Sequence, residues 1–284
     1  MNDVDNLICS RLSNILKELE DSLDSDILVY YGPLEDNIVQ PFVEIVEDLA
    51  SDSEKRDKLS IILTTNGGSA VAVERMVNVI RHHYEIIDFY VPDYAYSAGT
   101  IFCMSGDNIH MTYSSVLGPI DPQVKNKEGR WVPALGYLDK IEELLGKGNS
   151  MSQAEFLLLK EFDLAEIRLY ETARDLTTTL LKKWLVKYKF KTWTRSSEHK
   201  PVTDEKKTQR AEEIAIALGD NKRWLSHARP IGIEQLRELK LFIEDYSENK
   251  NLEKQLNYYH RVLSDYIFKS RITTYIHTRR EGTA

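Results

Sequence analysis

Apolar residues recur at helical spacing through residues 5–24 (DNLICSRLSNILKELEDSLD), which predicts an amphipathic helix. The pattern then tightens into ILVYYG (27–32), a strand-like run closed by Gly32-Pro33. Helical period returns over 37–50. KLSIILTT (58–65) predicts a second strand, ended by NGG at 66–68. VAVERMVNVIRHH (71–83) reads as helix, IIDFYVP (86–92) as strand, and SAGTIFCMSG (97–106) as a short helix of small residues. NIHMTYSSVLG (108–118) predicts a fourth strand running into the turn GPIDP. Four strand–helix alternations in the first 120 residues predict a parallel sheet covered by helices. Strands apolar on both faces suit a sheet buried on both sides.

After Pro133 the period is mainly helical through residue 190, ending in the basic stretch KKWLVKYKFK. Residues 191–205 are polar and read as a loop. Residues 203–220 predict a helix with Thr203 as N-cap and Gly219 near its C-cap. IEQLRELK after Pro230 predicts another helix, and 250–271 a last amphipathic one, whose apolar stripe suits either its own chain or a second copy. The expected organisation is an N-terminal helix (1–24), an α/β domain (25–243) and a C-terminal helical extension (244–284).

Composition narrows the function classes. The 284 residues are 42% hydrophobic and 29% charged, as a globular chain with a sizeable core requires. The net charge of -8 lacks the basic footprint of a general nucleic-acid binder. Two cysteines, Cys9 and Cys103, build no disulfide framework, and neither a signal peptide nor a transmembrane run is legible. The expectation is a cytoplasmic protein. No Cys/His cluster has metal spacing and no glycine-rich phosphate loop is present, so neither a metal nor a nucleotide cofactor is expected.

NGG and YSAGT (96–100) both follow predicted strands and precede helices. In open parallel sheets that rim is where ligands bind. A serine at such a turn exposes its hydroxyl, and Gly-Gly lets backbone N–H groups approach a reacting carbonyl. The plainer readings are a helix N-cap for Ser97 and a simple turn for NGG.

The succession NGGSA, YSAGT and SSVLGPIDPQ resembles the ClpP/crotonase superfamily. Within it, VPDYAYSAGT (91–100), VLGPIDPQ (116–123) and RWLSHARPIGIEQLRELKL (223–241) resemble the serine dehydrogenase proteinase family, related to signal peptide peptidase A. The resemblance spans residues 27 to about 243. It implies a ClpP/crotonase-type spiral ββα core with a helical C-terminal elaboration, serine-dependent hydrolysis of a peptide or protein substrate, and a homo-oligomer. It leaves room for a membrane-associated substrate and implies no specific nucleic-acid partner. Carried over, it makes Ser97 the nucleophile and the Gly68 and Ala98 N–H groups the oxyanion donors, with Gly67 permitting the turn.

The general base is open. The Clp subunit's histidine has no counterpart here, where Gly118, Pro119, Ile120 and Asp121 stand. Lys140, on a predicted helix, follows the precedent of Ser-Lys relatives. His227, in the SHARP segment, is the imidazole alternative. The plainer readings are a solvated helix-face charge for Lys140, a structural role for His227 and loop stabilisation for Asp121. Two other functions stay open: an inactive scaffold binding peptides or partners, and a crotonase-type acyl-thioester enzyme. The run Lys182 to Lys191, interleaved with Trp184, Tyr188 and Phe190 and followed by Trp193, reads as a solvated amphipathic face.

Overall fold

The structure, a computed structural model, describes residues 3–126, 128–195, 199–280 and 282–283. Its strands are β1 (Asp26–Tyr31), β2 (Lys58–Thr64), β3 (Ile86–Tyr90), β4 (Tyr94–Ala95), β5 (Asn108–Met111), β6 (Val116–Leu117), β7 (Gln123–Lys125), β8 (Trp131–Pro133), β9 (Glu244–Asp245), β10 (Tyr275–His277) and β11 (Gly282–Thr283). Its helices are α1 (Asp3–Leu23), α2 (Val39–Ala50), α3 (Ala70–His83), α4 (Ala98–Cys103), α5 (Ala134–Gly146), α6 (Gln153–Lys160), α7 (Leu164–Trp184), α8 (Asp204–Leu218), α9 (Asn221–Trp224), α10 (Ile233–Glu238) and α11 (Lys250–Ser270).

The main sheet has the order β11-β10-β1-β2-β3-β5-β9. Strands β1, β2, β3, β5 and β9 run parallel, while at one edge β10 pairs antiparallel with β1 and β11 antiparallel with β10. Period-2 alternation sends successive side chains to opposite faces. Leu28 and Tyr30 of β1 join Ile61 and Leu63 of β2 in a core with α2, α3 and α4. Ile27 and Val29 join Ile62 of β2 on the other face, under α1 and α11. The expected sheet buried on both sides is therefore present, and its second cover comes from the two ends of the chain. The stripe Leu252, Leu256, Tyr259, Leu263, Tyr266 and Ile267 of α11 is buried against Leu12, Ile15, Leu16 and Leu19 of α1, so it packs on its own chain.

Two expectations need correction, and a third falls partly outside the described residues. The run 108–118 is not one strand: Thr112–Ser115 turn back on themselves, with Thr112 N–H donating to Ser115 Oγ at 2.8 Å, and β6 leaves the main sheet to pair with β4. The C-terminal stretch 244–284 is not helical throughout, because β9, β10 and β11 belong to the central sheet. Of the expected loop 191–205, residues 196–198 lie outside the described residues, and Arg195 pairs with Pro201 across it.

A buried ionic cluster fastens the chain's end to its start. Arg279 donates through Nη1 to Asp26 Oδ1 at 2.6 Å and Glu20 Oε1 at 3.0 Å, and through Nε to Asp52 Oδ2 at 3.1 Å. Asp26 is fully buried, so removing the guanidinium would strand charge in the interior at a cost of about 3–5 kcal/mol.

Candidate active site

Two turns meet beyond the carboxyl ends of β2 and β4. Thr65 N–H donates to Tyr94 O and Tyr96 N–H donates to Thr65 O, both at 3.0 Å, which extends the parallel pairing past the sheet. The segments 66–68 and 96–98 are thereby held side by side. Thr100 locks the second turn to the VLGP loop: its Oγ1 lies 2.9 Å from both the Ala95 and Gly118 carbonyl oxygens and accepts from Gly118 N–H at 3.0 Å. The residues that make YSAGT and VLGPIDPQ recognisable thus touch each other.

Ser97 has φ 53° and ψ -114°, a sparsely populated conformation for a residue with a Cβ. It occupies the N-cap position of α4, yet its side chain makes no capping hydrogen bond. The N-cap reading therefore lacks its defining contact. By contrast Ser69, at the start of α3, caps Ala72 N–H at 3.1 Å. Ser97 is 7% exposed and lines a cavity of about 390 Å³.

The first turn is shaped by two glycines at positive φ, Gly67 (101°) and Gly68 (151°). A Cβ on Gly67 would stand 2.8 Å from Tyr96 O and 2.9 Å from Ser97 Cβ, and one on Gly68 only 2.2 Å from Leu34 O. Leu34 brackets this turn, donating to Gly67 O at 2.9 Å and accepting from Ser69 N–H at 2.7 Å. Within the described residues neither Gly68 N–H nor Ala98 N–H donates a hydrogen bond, and both residues line the cavity with Ser97. Two uncommitted N–H groups lining the same cavity as a free hydroxyl are of the kind that can hold a developing oxyanion. The remaining walls are mainly apolar: Val71, Ile101, Ile120, Val124, Leu169 and Leu176.

The two expected bases fall elsewhere. Lys140, on α5, lines a separate cavity with Tyr137 and Phe162. Its half-exposed ammonium donates to both Glu143 carboxylate oxygens at 3.0 Å. His227 does not line the Ser97 cavity either. Its Nδ1 is buried without a hydrogen-bond partner, 4.0 Å from Asp121 Oδ2. That spacing is within ion-pair range, but burial drives both groups towards neutrality: the Asp121 carboxyl is pushed up to about 6 and the His227 imidazole is held below its usual range. Asp121 is flanked by Ile120 and Pro122, both of which line the cavity, and its Oδ1 accepts from Leu135 N–H at 3.0 Å at the start of α5.

Sequence reasoning did not single out Gln123, Thr177 and Asp36, which add polar groups to the Ser97 cavity. Gln123 belongs to the motif VLGPIDPQ and was in view; Thr177 sits mid-helix with no local signal. Among the described residues no group of three or more His, Cys, Asp or Glu is placed to hold a metal ion. No helix among them is long and apolar enough to cross a membrane.

Comparison with known proteins gives a family for the chain. The profile of the ClpP-like SDH-type serine proteinases matches residues 44–192, which contain both turns and the VLGPIDPQ loop. Two uncharacterized proteins of Methanocaldococcus jannaschii are similar in sequence. One is 27% identical over 190 residues, covering 66% of this chain and 54% of the relative. The other is 30% identical over 121 residues, covering 41% and 39%. The chain thus spans about half or less of the curated relatives it matches. Among solved structures, a serine-to-alanine variant of a 1510-N membrane-bound stomatin-specific protease aligns at a TM-score of 0.43 and 14% identity, over 80% of this chain and 84% of that one.

Proposed function

We propose that this chain, which belongs to the ClpP-like SDH-type serine proteinase family, hydrolyses peptide bonds with Ser97 as nucleophile. The observation that carries the reading is the strained backbone of Ser97, its hydroxyl uncommitted, beside the unused N–H groups of Gly68 and Ala98. A backbone held in a poorly populated region persists where the surrounding structure imposes it, and such positions cluster at reactive sites. Ser97 Oγ attacks the scissile carbonyl carbon. The carbonyl oxygen takes up negative charge and is held by the two N–H groups, each worth about 3–4 kcal/mol to such a transition state. The amine leaves with a proton, and water then releases the acyl group from Ser97.

The base in this reading is His227. Its imidazole, disfavoured as a cation by burial, is neutral near pH 7 and able to accept the serine proton. It stands 4.0 Å from Asp121, whose neighbours Ile120 and Pro122 wall the cavity, and in this reading a water relays the serine proton to it. Lys140 is the rival, but it lines a separate cavity and its ammonium is engaged by the Glu143 carboxylate. Assembly into a homo-oligomer belongs to the same reading: α6 buries none of its side chains, and Phe156, Leu157 and Leu158 are each more than half exposed.

A second reading, a peptide-binding scaffold without catalysis, is favoured by one observation: neither expected base lines the cavity. Incubating unstructured peptides with wild type and Ser97→Ala separates the two. Cleavage by wild type alone supports the peptidase. Equal peptide binding with no cleavage by either supports the scaffold.

A further inference from the structure

A second cavity, of about 630 Å³, opens at the other end of the sheet, where β5 and β9 begin. Its chemistry is unlike that of the Ser97 cavity. Lys189, Lys206, Arg210 and Lys240 converge on it, whereas Asp107 is its single acidic wall residue. Such a concentration of positive charge is out of keeping with a chain that carries 37 Lys+Arg against 45 Asp+Glu.

The acids nearest Lys189 already have cationic or polar partners. Asp107 Oδ2 accepts from Arg81 at 2.8 Å and from Ile87 N–H at 2.9 Å. Glu244 faces His110 Nδ1 at 3.1 Å, and Asp88 takes Asn108 at 2.8 Å with Lys58 at 3.8 Å. Lys189 Nζ itself donates to the Asp107 main-chain oxygen at 3.2 Å. Burial pulls this ammonium down to about 8, against the raising influence of Glu244, Asp88 and Asp107. Lys206 and Lys240 form no ion pair among the described residues, and Arg210 holds only the surface residue Glu213 at 2.9 Å.

The walls also carry rings. Phe190 and Trp193 meet edge-on with centroids 5.5 Å apart, and Phe242 stands 68% exposed at the rim. The basic run that reads in sequence as a solvated face is therefore folded otherwise: after α7 a π-helical turn over Leu185–Lys189 rotates Lys189 inward and sets Phe190 into the wall. An extra residue in a helical turn re-aims side chains, and such turns recur at functional positions.

We infer that this cavity binds a small phosphorylated ligand with a flat ring, of the nucleoside phosphate class, its phosphates on Lys189, Lys206 and Arg210 and its ring against Trp193 and Phe242. Guanidinium and ammonium groups are the usual phosphate partners, and aromatic faces take bases without needing a particular one. The volume is within the range of small-molecule sites, and a concave pocket on an acidic protein suits a free nucleotide over a polymer. The site does not depend on the Ser97 chemistry, since it lies at the opposite strand ends.

Isothermal titration of the full chain with AMP, ADP, ATP, pyrophosphate, inorganic phosphate and adenosine tests it. The expected result is saturable nucleotide binding below about 1 mM, at least tenfold tighter than pyrophosphate for ADP. Lys206→Glu with Arg210→Glu, both at the surface, should weaken it at least tenfold while Ser97→Ala leaves it unchanged. No saturable nucleotide binding overturns the inference, as does binding that survives both charge reversals. Pyrophosphate binding as tight as ADP also overturns it, because the rings then contribute nothing.

Discussion

A Cβ placed on Gly67 would stand 2.9 Å from Ser97 Cβ, so these two turns fit only while residue 67 is glycine. The backbone of Gly67 is also at φ 101°, where any other residue is strained. Gly67→Ala should therefore destabilise the chain by about 1–3 kcal/mol and displace Ser97. Denaturant unfolding and peptide cleavage check this together. A variant of wild-type stability and activity would show that the turns are not in the contact described.

Ser97 itself holds strain. Glycine adopts its φ of 53° and ψ of -114° with no steric penalty, and the hydroxyl makes no capping bond that would be lost. Ser97→Gly should raise stability by about 1 kcal/mol, the relief of strain exceeding the added flexibility of the unfolded chain. The same variant should be inactive, a trade of stability against function seen where a site is held under strain. A destabilised Ser97→Gly would mean that the serine side chain supports the fold.

His277 makes stability depend on pH. Its ring is buried between Tyr259 Oη, 2.6 Å from Nδ1, and Ser13 Oγ, 3.3 Å from Nε2. Burial pulls its titration down to about 4, against about 6.5 in the unfolded chain. Between these values the unfolded chain binds more protons, so stability rises with pH and is lost as pH falls from 6.5 to 4. Asp121, pushed up to about 6, has the opposite sign in the same window: the folded chain binds more protons there. The difference between wild type and His277→Gln isolates the histidine. That difference should shrink by about 3 kcal/mol between pH 7 and pH 4. A pH-independent difference would place the proton elsewhere.

The two bases are distinguishable by rate. With His227 as acceptor, the rate of serine acylation should rise with pH through a limb below 6.5, because burial favours the neutral imidazole. His227→Ala should slow acylation at least tenfold, while Lys140→Ala leaves it near wild type. A limb well above pH 7 with the reverse ranking would assign the role to Lys140.

The strands β1, β2 and β3 were legible because their runs are rich in apolar and β-branched residues, broken only by Ser60 and Asp88, and closed by Gly, Pro or Asn. Helix α8 was legible from its caps: Thr203 accepts from Lys206 N–H, and Gly219 closes its last turn. Strands β7, β9, β10 and β11 were not, since each has only two or three residues and exists through pairing with partners distant in sequence. The Ser97 and Gly68 turns were visible as motifs because glycine and small residues are needed locally. The positions of Lys140 and His227 relative to Ser97 depend on how α5 and the 225–229 turn pack, which spacing along the chain does not encode.

The central claim is that Ser97 is an activated nucleophile, and its covalent capture tests it most directly. Wild type is treated with a fluorophosphonate at neutral pH, and the adduct is located by tandem mass spectrometry. The account predicts a single stoichiometric adduct on Ser97, lost in Ser97→Ala and slowed in His227→Ala. A folded wild-type protein that remains unlabelled at Ser97, or is labelled equally in Ser97→Ala, would contradict it.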